Sequence, residues 1–239
     1  MLRAAADLVL PRTCLVCGRS LNHSESHICL ECLCDLPYTR FWQLERNPMA
    51  DRYNERIGAN IPDGVEEAYG HALALLYYEP GSPYSHIPRA LKYDGNLRAG
   101  SWFAAMLGSR VAGCPWMSDA DLVVPVPLHW RRKWTRGFNQ AAIIASEVAR
   151  ALDVPCALHL LRRKRYTKSQ TAVGHSERAS NVRGAFKVAG VVPPGTRHIL
   201  LVDDTFTTGS TLADCHRALR QVVPPSVRIS VATLSYAGQ

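Results

Sequence analysis

The sequence predicts an α/β fold: a parallel β-sheet covered on both faces by helices, preceded by a small zinc-ribbon-like module. Three observations predict it. Continuous aliphatic runs at Leu122–Val126 and His198–Val202 lack polar alternation, as expected of strands buried on both faces. Stretches with helical spacing separate these runs, which is the order of a parallel sheet with crossover helices. Ahead of both, four cysteines pair as Cys14-x2-Cys17 and Cys29-x2-Cys32.

At 239 residues the chain has room for one large domain, or a medium one with an appendage. A composition 47% hydrophobic, 20% charged and 8% aromatic, with a mean hydropathy of −0.10, excludes a disordered or collagen-like chain. No apolar run approaches the roughly 18 residues of a membrane span. Within Met1–Leu10, Asp7 interrupts what would be a signal-peptide core, so a short amphipathic helix and a cytoplasmic location are expected.

In chain order, the cysteines come first. Two residues between thiolates let one tight turn aim both sulfurs at one ion, and a second such knuckle completes a tetrahedral Zn2+ site. Gly18 stands where a left-handed turn residue is needed. A disulfide reading is disfavoured in a reducing compartment. His23, His27 and Cys34 are neighbours of an already complete ligand set, so the zinc is structural, with no open position for catalysis. Residues 46–66 turn polar and irregular and read as a linker between a module over 1–45 and a main domain over 67–239. Within that domain, Ala68–Tyr78 reads as a strand. Pro88–Tyr93 and Leu97–Val111 read as helices, Leu122–Pro127 as a strand and Phe138–Leu152 as a helix. His198–Val202 reads as a strand, Leu212–Val222 as a helix and Val227–Leu234 as a last strand.

The net charge of +8 is unevenly spread. Residues 129–187 hold 13 Lys/Arg against three acids, a balance of +10 that leaves the rest at −2. Such a concentration faces phosphates, a nucleic acid or a membrane surface, or else serves as a solvated face. Trp130 and Trp134 flank Arg131–Lys133, and Tyr166 follows the basic run Arg162, Arg163, Lys164 and Arg165, with Lys168 beyond. Interleaved aromatic and basic residues suit stacking of unpaired bases, and equally the packing of a loop base.

The most specific stretch is Ile199–Thr211. A buried strand delivers Asp203 and Asp204 to the sheet edge, followed by Thr205, Phe206, Thr207, Thr208, Gly209, Ser210 and Thr211 as a helix opens. Free N–H groups at a helix amino terminus, lined by hydroxyls, cradle a phosphate. Carboxylates just upstream would repel that phosphate, so they need sugar hydroxyls, Mg2+ or both. The run lacks the Gly-x4-Gly-Lys and Gly-x-Gly-x2-Gly signatures of other nucleotide loops.

This stretch resembles the phosphoribosyl pyrophosphate signature of type I phosphoribosyltransferases. Pro125–His129, Arg136-Gly137-Phe138-Asn139-Gln140, Lys92-Tyr93-Asp94-Gly95, Gln170, Arg178, Asn181 and Gly184-Ala185-Phe186 extend the likeness to the ComF and GntX-like pattern, with its double Cys-x2-Cys module in front. The resemblance implies a type I phosphoribosyltransferase-like domain. In it, Asp203 and Asp204 hold the ribose hydroxyls with Mg2+ nearby, and Thr205, Thr207, Thr208, Gly209, Ser210 and Thr211 wrap the 5-phosphate. Arg131, Arg132, Lys133 and Arg136 would face pyrophosphate, and the 162–170 stretch falls where such enzymes carry a mobile loop. It implies a role in handling single-stranded DNA during natural transformation, beside a helicase-like partner, or alternatively phosphoribosyl transfer to an acceptor. Phosphoribosyl transfer asks for cations around pyrophosphate and exclusion of water. No residue stands out as a general base or a base-recognition site, and catalytic residues stay unassigned.

Overall fold

The structure, a computed structural model, describes residues 12–59, 61, 64–92, 97–128, 138–163 and 184–238. Helix α1 (Leu30–Cys34) belongs to the cysteine module, and α2 (Pro48–Gly58) follows it. Strand β1 (Ala72–Tyr77) leads through α3 (His86–Lys92) and α4 (Leu97–Ala112) to β2 (Leu122–Pro125). Helix α5 (Gln140–Leu152) precedes a short antiparallel pair, β3 (Leu161–Arg163) and β4 (Phe186–Val188). The chain then forms β5 (His198–Phe206), α6 (Ser210–Arg220) and β6 (Arg228–Tyr236).

Four strands make a parallel sheet in the order β1-β6-β5-β2. Both edges are paired. Residues 37–39 lie antiparallel along β1, with Thr39 N–H donating to Leu75 O at 3.1 Å and Tyr77 N–H to Pro37 O at 2.8 Å. Outside β2, Val123 N–H donates to Pro155 O at 3.0 Å, and Val123 O accepts from Ala157 N–H at 2.8 Å. These short segments satisfy backbone groups that an open edge would offer to another chain.

The continuous aliphatic strands do bury both faces, as two-sided strands should. Leu201 and Val231 pack with Met49 and Tyr53 of α2 and with Leu212 and Leu219 of α6. Leu200, Val202 and Leu234 pack on the opposite face with α4 and α5. Cys14, Ile28 and Leu36 belong to that second core, so the cysteine module is seated on the α4–α5 layer.

Residues 48–58 form a helix where polar text suggests an irregular connector. Asn47 caps it, accepting N–H bonds from Met49 and Ala50 at 3.1 and 3.0 Å, with Pro48 in the first turn. Met49, Ala50, Tyr53 and Ile57 occupy one buried stripe among polar residues, a 3.6-residue period that the surrounding Asn and Asp residues mask. The β3–β4 pair is absent from the sequence reading because three-residue strands carry too little pattern.

Two buried histidines brace the sheet. His198 at the start of β5 bonds Asp119 at 2.9 Å and Ser230 at 2.8 Å. Burial first, then the Arg228 charge, lower its pKa to about 4. His216 of α6 meets Glu67 at 3.1 Å, and burial with the Arg220 charge lowers it to about 3.

Candidate functional site

Strand β5 runs past Val202 through the acidic pair, because Asp203 and Thr205 stay in register with Thr233 and Ser235 of β6. Asp203, Asp204 and Thr205 are half-buried at the carboxyl end of the sheet, where open α/β sheets bind ligands. The Asp204 N–H donates to the Asp203 carboxylate at 2.8 Å, which fixes that side chain against its own turn. Thr207 and Thr208 are exposed beyond them. Gly209 then caps α6 with φ +74° and contributes no side-chain acceptor. The first-turn N–H groups of this 11-residue helix therefore point into the loop, and no acid lies in that turn. The hydroxyls of Thr208 and Ser210 lie 3.0 Å apart at its mouth. Carboxylates on a strand end and anion-seeking amides on the adjoining helix thus face one loop, an arrangement suited to a sugar phosphate.

Phe206, out of place among small hydroxyl residues, is the loop's foundation. It is 1% exposed, and its ring lies so close beneath Gly209 that a Cβ there would sit 2.7 Å from Cζ. Its ring centroid is 5.8 Å from that of Tyr236, which in turn is 5.3 Å from Phe41. Arg40 adopts a left-handed backbone (φ 58°), and Phe41 beside it is buried in this cluster. An aromatic row therefore joins the phosphate loop to the segment leaving the cysteine module. The sequence signal was the recurrence of aromatics at strand ends (Tyr77, Phe206, Tyr236), legible only once the strands are in register.

The four Sγ atoms of Cys14, Cys17, Cys29 and Cys32 lie within 4.8 Å of one another, and those of Cys17 and Cys29 are 3.8 Å apart. A tetrahedron of about 2.3 Å metal–sulfur bonds has edges of about 3.8 Å, so the donor set fits one zinc ion. Gly18 takes φ +76° and its N–H donates to Cys14 O at 2.9 Å, forming the first knuckle. Burial opposes ionisation of Cys14, but N–H groups of Cys17, Cys29 and Val16 outweigh it and draw the thiol down to about 6. Burial and the neighbouring sulfurs push Cys32 up, since four adjacent thiolates need a cation among them. His27 is not in this cluster: its ring lies 6.1 Å from that of Trp102 of α4, tilted by 60°.

Comparison with known proteins bears on the α/β domain. Residues 139–238, from the cap of α5 to the end of β6, match the family model of the phosphoribosyl transferase domain. The chain is 33% identical over 112 residues to Competence protein F of Haemophilus influenzae, covering 46% of this chain and 48% of that one. It is 36% identical over 149 residues to the DNA utilization protein YhgH of Escherichia coli K12, covering 60% and 62%. A Shigella flexneri protein of the same name is 35% identical over 149 residues. The matches thus span about half to three-fifths of these relatives' lengths.

Over these stretches the chain is similar to ComF-family proteins.

The remaining expected residues divide by position. Arg131, Arg132, Lys133 and Arg136, with Trp130 and Trp134, lie outside the described residues, but the ends of their loop do not. Val126 N–H donates to Val202 O at 2.8 Å, and Asn139 Nδ2 donates to Val126 O at 3.1 Å. The loop therefore leaves the sheet beside the residue preceding Asp203. Lys164, Arg165 and Lys168 also lie outside the described residues. Arg162 and Arg163 are exposed on β3, with the Arg163 guanidinium over the Phe186 ring, 5.3 Å from its centroid. Leu161 and Phe186 share the core of Leu201, Leu212 and Cys215, so the β3–β4 pair lies on the α6 face of the sheet. Among the described residues no helix is long and apolar enough to cross a membrane.

Proposed function

We propose that this chain is a ComF-family protein that binds phosphoribosyl pyrophosphate with Mg2+ at the β5–α6 loop and handles single-stranded DNA during its uptake. The observation that carries the pocket is Asp203 and Asp204 half-buried toward the end of β5, shortly before a helix whose N-cap, Gly209, supplies no side-chain acceptor. In the proposed complex the two carboxylates take the ribose hydroxyls and share Mg2+. Thr205, Thr207, Thr208, Gly209, Ser210 and Thr211 surround the 5-phosphate, and Arg131, Arg132, Lys133 and Arg136 meet pyrophosphate. DNA handling is supported by the competence and DNA-utilization names of the relatives and by the +10 balance of residues 129–187. Zinc held by Cys14, Cys17, Cys29 and Cys32 fastens the module against α4, and the protein works in the cytoplasm.

Deletion of the gene from its host should lower transformation by added DNA, and the wild-type copy should restore it. A copy carrying Asp203→Asn and Asp204→Asn should not. Unchanged transformation in the deletion strain would contradict the role in DNA uptake, and full rescue by the double variant would separate that role from the pocket.

A further inference from the structure

A second surface, remote in sequence from the basic 129–187 segment, carries aromatic rings and arginines in alternation. Along α4, Arg98, Trp102, Met106 and Arg110 recur every four residues and form one ridge of the helix, about 18 Å long at 1.5 Å per residue. The cysteine module supplies rings beside it. At one end the His27 ring lies 6.1 Å from that of Trp102, tilted by 60°. At the other, the Arg110 guanidinium lies 4.9 Å from the Trp42 ring centroid and 5.8 Å from that of Tyr38. Tyr38, Trp42 and Trp102 are partly exposed, and Arg98 and Arg110 are exposed. No Asp or Glu occurs in Leu97–Ala112 or in Leu36–Leu44; of the module's nearby acids, Glu31 pairs with Arg19 and Asp35 accepts from the Tyr84 hydroxyl.

We propose that this α4–cysteine-module face is a binding track for single-stranded nucleic acid, its arginines meeting phosphates and its rings stacking bases. The proposal rests on the DNA-handling reading above and assigns that role a surface. Rings flanked by fixed cations, without acids between them, are what unpaired bases on a phosphate backbone require. A buried protein partner would need a wider apolar patch, whereas here each ring is bordered by charge. The ridge's length accommodates about three nucleotides, short of the roughly 4–16 per site of known single-strand binders, so the track would continue onto other basic surface.

The test is fluorescence anisotropy of a labelled 20-nucleotide oligothymidylate against the full chain, from 50 to 300 mM salt. Arg98→Gln with Arg110→Gln removes two phosphate contacts. At a slope of about 0.7 per contact for single strands, the salt dependence should flatten by about 1.4, and affinity at 0.1 M should fall about 25-fold. A control pair, Arg150→Gln with Arg197→Gln, removes the same net charge from exposed positions elsewhere and should change neither quantity. Trp42→Ala should weaken binding and Trp42→Phe should largely retain it, with zinc content and circular dichroism verifying each fold. If wild type binds but the Arg98/Arg110 pair matches wild type or matches the control pair, the track is refuted while the DNA-handling reading stands. If wild type binds no oligonucleotide at 50 mM salt, both are refuted.

Discussion

Replacing Gly209 by Ala perturbs the β5–α6 loop at the point where its geometry is tightest. Two costs combine. At φ +74° a Cβ is disfavoured by about 1–2 kcal/mol. The new atom would also stand 2.7 Å from Cζ of Phe206, against about 3.5–4.0 Å for carbon atoms at rest. Phe206 has little freedom to retreat, being 1% exposed and packed on Tyr236, and overpacking of this kind costs about 1–3 kcal/mol. A total near 3 kcal/mol corresponds to about 6–12 °C in Tm for a chain of this size. Calorimetric or urea unfolding of the zinc-loaded protein measures it. Adding Phe206→Leu should relieve the clash, so the double variant should lose at least 1 kcal/mol less than the two single losses added. Strict additivity, or a Gly209→Ala melting point within 2 °C of wild type, would refute the reasoning that Phe206 supports the loop.

Further outcomes follow from the same contacts. Cys14→Ser should lower bound zinc below one ion per chain and melt the module's packing on α4, read by metal analysis and by exposure of Trp102 fluorescence; full zinc occupancy would contradict the four-sulfur site. Acid should destabilise the fold through His198 and His216. Their folded pKa values, about 4 and about 3, lie below the ordinary 6.5, so their contribution is complete above pH 6.5 and is lost as pH falls toward 4. Two protons taken up only on unfolding give a slope of up to about 2.7 kcal/mol per pH unit in that window, and urea midpoints that stay flat between pH 6.5 and 4.5 would contradict it. Asn47→Ala removes the α2 cap and a 2.9 Å bond to Ala72 O, and should cost about 1–2 kcal/mol in urea unfolding.

The α/β architecture was legible because its signals are local and redundant. Ile199–Val202 and Leu122–Val124 are aliphatic throughout, and each strand found is where that run lies. The paired Cys-x2-Cys spacing likewise contains the metal geometry, since a two-residue turn leaves few ways to aim two sulfurs. What escaped depends on tertiary placement. Helix α2 looks polar because only one stripe, Met49 to Ile57, is buried. Phe206 looks anomalous until the parallel register sets it beside Tyr236, and Tyr236 beside Tyr77. The Arg110, Tyr38 and Trp42 grouping joins positions about 70 residues apart, which no spacing rule connects.

The most direct measurement is calorimetric titration of phosphoribosyl pyrophosphate with Mg2+ into the zinc-loaded protein, alongside the Asp203→Asn, Asp204→Asn variant. Saturable one-to-one binding to the wild type, abolished in a variant that remains folded, is the predicted result. No heat with the wild type, or equal affinity in both proteins, would contradict the assignment of the β5–α6 loop as a sugar-phosphate pocket.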